Sequence, residues 1–92
     1  MVLVAPNGSL VSGRVKYMGQ DSKEEGEPYV ELEVIDSKDV GNLVNFTRDK
    51  KGTTIIVRFR SADRSKMVVG RTIEAHVEYI GDERGGVYQG KL

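Results

Sequence analysis

The stretch from Thr53 to Arg60, Thr-Thr-Ile-Ile-Val-Arg-Phe-Arg, constrains the fold of this chain more than any other. Its β-branched and aromatic residues favour a strand, and a period of two puts Ile55, Val57 and Phe59 on one face and Thr54, Ile56, Arg58 and Arg60 on the other. The first face requires a core. The second is basic with one apolar residue in its middle, a face that a half-buried strand turns to solvent or to a partner. Arginines there serve equally as plain surface, so the decision must come from what surrounds them.

The same period recurs along the chain. Ser9 to Met18 alternates, with Val11, Gly13, Val15 and Tyr17 on one side, and reads as a first strand bent at Gly13, because a glycine inside a strand marks a bulge or a sharp bend. Tyr29 to Asp36 is a second strand with Val30, Leu32 and Val34 facing one way and Tyr29, Glu31, Glu33 and Ile35 the other. Between them Gly19 to Pro28 is polar and acidic, and its carboxylates lack the spacing and glycine of a calcium loop. Within Ser37 to Gly52, the apolar Leu43, Val44 and Phe46 before Arg48-Asp49-Lys50-Lys51-Gly52 predict a short strand and tight turn, with Thr53 to Arg60 as the hairpin return. Ser61 to Gly70 predicts a helix, Ser61 its cap, Ala62 to Val69 its two turns and Gly70 its left-handed terminator. So short a helix must plug the end of something larger. Arg71 to Ile80 alternates again, with Ile73, Ala75, Val77 and Tyr79 on one side. A glycine-rich loop from Gly81 to Gly86 then leads into a final strand, Val87 to Leu92.

Ninety-two residues suffice for one domain, predicted to span 9–92 after a flexible lead-in at 1–8. Without cysteine the fold must rest on packing alone, with no thiolate ligand or nucleophile. No apolar run has the length of a membrane span, so a soluble, cytoplasmic protein without membrane contact is the expectation. Fourteen basic residues balance fourteen acidic ones, yet residues 37–72 hold nine basic against three acidic, and an anion would be drawn there. His76 between Glu74 and Glu78 is the single metal-like pattern, and one histidine among exposed carboxylates is ordinarily surface. No nucleophile motif or phosphate loop is present, so neither a cofactor nor catalysis is expected.

Five strands with a helix between the third and fourth is the order of the five-stranded Greek-key barrel. Val11-Ser12-Gly13-Arg14-Val15, Tyr29 to Asp36 and Ile55 to Phe59 carry a resemblance to the OB-fold family. The stretch Val69 to Tyr79 together with Gly85-Gly86-Val87-Tyr88-Gln89-Gly90 resembles the closing strands of the single-stranded-DNA-binding and replication protein A type of OB domain. The resemblance implies an all-β barrel that holds single-stranded nucleic acid, DNA or RNA, on the outer face of the second and third strands. Carried onto this sequence, that surface comprises Tyr29, Ile56, Arg58 and Arg60, with Arg48, Lys50 and Lys51 on the adjoining hairpin, Arg84 on the last loop, and Arg14 and Lys16 on the first strand. Tyr88 and Phe46 are either stacking surfaces or core. Glu31 and Glu33 share the face and would repel phosphate. The competing expectation is an assembly domain within a longer protein, pairing through strand edges or through an apolar patch of Ile35, Ile56, Ile80 and Met1 to Val4. The chain's stop on a strand, at Gly90-Lys91-Leu92, is consistent with a domain excised from such a protein.

Overall fold

The computed structural model describes residues 6–21, 27–82 and 85–92. Its strands are β1 (Ser9–Asp21), β2 (Glu27–Asp39), β3 (Thr54–Phe59), β4 (Thr72–Asp82) and β5 (Gly85–Lys91). They close into a barrel in the order β1-β2-β3-β5-β4, with β4 returning to β1. Every neighbouring pair is antiparallel except β3 and β5, which run parallel. A single turn of helix, α1 (Ser61–Arg64), joins β3 to β4, so the architecture is the all-β, OB-like barrel expected from the order of the elements. Closure gives each strand a neighbour on both sides, although the ladders cover only part of each strand: β4 pairs with β1 over Ser9 to Arg14, and β5 with β3 over Val57 to Phe59. Among the described residues, no helix is long and apolar enough to cross a membrane.

The alternating residues meet inside as the period predicts. Val30, Leu32 and Val34 of β2, Ile55, Val57 and Phe59 of β3, and Ala75 and Val77 of β4 are buried together with Val11 and Val15. Burial of each such valine, leucine or isoleucine stabilises the fold by about 1.5–3 kcal/mol. Met67, in the turn after α1, is also buried and supplies the plug predicted for a helix. The helix itself is shorter than the expected two turns. Arg60 rather than Ser61 stands at its N-cap, Val68 and Val69 are exposed, and Gly70 takes its left-handed φ of 93° in a turn beyond it.

Two irregularities shape β1. Ser12 pairs with Asp36 but Gly13 with Val34, so Ile35 is an extra residue on β2 at the predicted bend. Val15 pairs with Leu32 and Tyr17 with Glu31, which makes Lys16 an extra residue on β1. A one-residue slip exchanges the faces of a strand. Beyond Lys16, therefore, Met18 packs against the core, while Tyr17, expected on the inner side, is 52% exposed.

The predicted hairpin of Leu43 to Phe46 with Thr53 to Arg60 does not form. β3 is bonded instead to β2 through Val30↔Val57 to Glu33↔Thr54, and to β5 on its other side through Val57↔Tyr88 to Phe59↔Gly90. The segment instead holds a single bridge, Val44 to Asn7, then a 3-10 turn at Arg48–Lys50. Buried hydroxyls fix it in place. Ser37 Oγ lies 2.7 Å from Thr47 Oγ1, which donates to Ser9 Oγ at 2.8 Å, while Asn45 Nδ2 donates to Ser37 Oγ at 2.9 Å. The lead-in is likewise held at its last residues: Asn7 exchanges two hydrogen bonds with the backbone of Tyr79, and Gly8 N–H donates to Val44 O.

Candidate nucleic-acid interface

The register sets the outer surface out in rows. One row runs Tyr17, Glu31, Ile56 across β1, β2 and β3, and the next places Gly19 of β1 opposite Tyr29 of β2. The two tyrosine rings stand side by side, centroids 6.3 Å apart and tilted by 48°. Gly19 makes this possible. A Cβ there would lie 2.5 Å from Tyr17 Cε2 and 2.7 Å from Tyr29 Cζ, so both rings rest over the space that any other residue would fill.

Arg58 follows on β3. It is half-buried, its Nη1 donates to Pro28 O at 3.2 Å on β2, and it pairs with Gln89 of β5. Arg64 joins from α1, where its Nε donates to Phe59 O at 3.1 Å, and with Tyr17, Met18, Gly19, Pro28 and Tyr29 it lines an open cleft of about 540 Å³. The sequence pattern places neither Tyr17 nor Arg64 on this surface: the bulge at Lys16 hides the first, and the second falls in the segment that predicts a helix.

The other predicted residues separate into groups. Ile56 is 54% exposed in the middle of the face, and Lys16 is exposed beside Tyr17. Arg14 is exposed one row further, between Glu33 of β2 and Thr72 of β4. Arg48, Lys50 and Lys51 stand in and beside the 3-10 turn near the C-terminal end of β2, by Asp36 and Asp39 and away from Tyr29 at that strand's start. Two of them meet carboxylates there: Arg48 Nη2 reaches Asp39 Oδ1 at 2.8 Å, and Lys51 Nζ lies 4.0 Å from Asp36 Oδ1. The Arg48 guanidinium and the Asn45 amide hold the Asp39 carboxyl below its ordinary range, and Asp39 in turn raises Arg48. Arg84 lies outside the described residues.

Tyr88 belongs to the inner side. It packs against the core with its ring edge on Tyr79, centroids 5.1 Å apart, and Tyr79 meets Phe46 at 5.9 Å. Burial pushes the Tyr88 hydroxyl above its ordinary 10.0, with the neighbouring Tyr79 adding to the shift. Stability that depends on the neutral phenol is fully present below the unfolded value and is lost as pH rises through the folded one. Thermal melts from pH 9 to 11 are therefore expected to fall more steeply for the wild type than for Tyr88→Phe, whose ring cannot ionise.

No protein-family model, curated protein or solved structure matches this chain. The site must therefore be read from its own residues. Together they offer two aromatic faces, one exposed aliphatic side chain and a fringe of cations, and no clustered set of potential metal ligands occurs among the described residues.

Proposed function

We propose that this barrel binds single-stranded nucleic acid, DNA or RNA, across the outer face of β2 and β3. The observation that carries the reading is the pair of tyrosine rings over Gly19 with Arg58 on the adjacent strand. Unpaired bases stack on such rings irrespective of sequence, and arginines beside them follow the phosphate backbone. Tyr17 and Tyr29 receive bases, Ile56 extends the apolar floor, and Arg58, Arg64 and Lys16 meet phosphates. Glu31, between Tyr17 and Ile56, limits affinity by repulsion.

Three phosphate contacts at about 0.7 each give a slope of roughly −2 for log K against log salt. Fluorescence anisotropy of a labelled thymidine 12-mer between 20 and 300 mM salt (about those limits) measures it. Absence of binding at the lowest salt, or binding indifferent to salt, removes the reading. The Arg58→Glu variant is expected to bind more weakly and to lower the magnitude of that slope by about 1, since it exchanges an attraction for a repulsion at the centre of the face.

One observation favours a second reading, a protein-docking face. Ile80 pairs with Val87, and the Val57↔Tyr88 register sets Val87 beside Ile56, so three exposed aliphatic side chains adjoin on β3, β5 and β4. An Ile56→Lys substitution separates the two readings. It strengthens oligonucleotide binding if the strand lies there, and it abolishes docking if a protein does.

A further inference from the structure

The row beyond Arg58 and Gln89 carries a second concentration of positive charge, away from the tyrosines. Phe59 of β3 and Gly90 of β5 are the last partners of the parallel ladder, and Arg60, at the N-cap of α1, and Lys91 are the residues that follow them. Lys91 in turn stands directly opposite His76 of β4. Because Phe59, Val77 and Ala75 point inward, Arg60 and His76 point outward, and all three side chains are exposed. Like charges facing each other across strands repel unless something negative lies between them.

Space for it exists. A cleft of about 510 Å³ has Arg58, Arg60, His76, Gln89 and Lys91 on its polar side and Val40, Leu43, Phe59 and Val77 on its apolar side, with Glu78 the single carboxylate on its wall. That volume is within the range of small-molecule sites. The other acidic groups near the row lie to its sides. Glu74 shares the outer face of β4 two residues from His76, and Asp63 of α1 accepts from the Leu92 N–H at 3.3 Å.

We propose that this cleft is a phosphate site, in which Arg60 and Lys91 hold the phosphate oxygens and His76 adds a third donor when protonated. The phosphate comes either from the backbone of a strand that passes Arg58 on its way from the tyrosines, which rests on the function proposed above, or from a free phosphorylated molecule, which does not. Both sources present tetrahedral phosphate oxygens to the same three side chains, as a singly charged diester in a strand backbone and as a monoester or inorganic phosphate in a free ligand.

Amide shift mapping with three probes tests the site: inorganic phosphate, an abasic deoxyribose-phosphate oligomer, and oligothymidine. Shifts at Arg60, His76 and Lys91 with the abasic oligomer, weakened about fivefold at 0.1 M salt by Lys91→Gln, establish the strand backbone as the source. The same shifts with inorganic phosphate alone establish a free phosphorylated ligand. No shift at these three residues with any probe, or an affinity unaltered by both Lys91→Gln and Arg60→Gln, overturns the cleft. In that case shifts at Tyr17 and Tyr29 with oligothymidine would still support the function proposed above, so the two failures are distinguishable.

Discussion

Replacing Tyr17 and Tyr29 together by alanine is expected to weaken oligothymidine binding by about 2–6 kcal/mol, from roughly thirtyfold to more than ten-thousandfold, at about 1–3 kcal/mol for each stacked base. The rings are the sole aromatic faces on the outer side of β1 and β2 among the described residues, and they hold each other upright over Gly19. The loss should fall on affinity and leave the fold intact, because Tyr17 is 52% exposed and neither ring belongs to the core cluster. Anisotropy titrations at low salt, with thermal melts alongside, measure both quantities. A double variant that binds within twofold of the wild type would place the bases elsewhere. Tyr88→Phe is the matched control, since its ring points inward and its removal from ionisation should not alter binding near neutral pH.

A larger effect on the fold itself is expected from Gly13→Ala. A Cβ at this position would lie 2.6 Å from Leu32 Cγ and 2.9 Å from the backbone Glu33 O, and the backbone atom cannot swing aside as a side chain can. Overpacking of this kind costs about 1–3 kcal/mol. In a domain of this size each kcal/mol lowers Tm by about 4–8 °C, so calorimetry should record a fall of roughly 5–20 °C. The reason lies in the double duty of β1 at this point. Gly13 pairs with Val34 of β2 on one side and Ile73 of β4 on the other, and the missing side chain lets the strand bend between them. A melt within 2 °C (about the experimental error) of wild type would mean that the bend tolerates a side chain and that closure does not depend on it.

The parts of the fold legible in the sequence are those governed by a single local rule. Wherever one face of a strand is buried, a period of two assigns every side chain, and Val30, Leu32, Val34, Ile55, Val57, Phe59, Ala75 and Val77 all lie where that period puts them. Gly13 announced its own irregularity. Lys16 did not, because nothing about a lysine marks a bulge, and the unannounced slip concealed Tyr17, half of the aromatic pair on which the proposed site rests. The segment Leu43 to Phe46 misled for a different reason. Its composition suits a strand, but β3 pairs instead with β2 and β5, a competition settled only by the closed topology. Long-range pairing also decided the basic residues. Arg48 and Lys51 looked available in the sequence, whereas Asp39 and Asp36 reach them across the loop and draw that charge to the end of the barrel opposite Tyr29.

The pairing of β1 with β4 has a bearing on how the chain acquires its shape. Ser9 finds Val77 across 68 positions of sequence, so during synthesis β1 waits for the fourth of the five strands. Contacts of such long separation slow folding, because the loop must be ordered before the pairing repays it. Until β4 emerges, the hairpin of β1 and β2 exposes Val11, Val15, Val30 and Leu32 on an unfinished sheet, and during that interval the nascent chain is most vulnerable to aggregation.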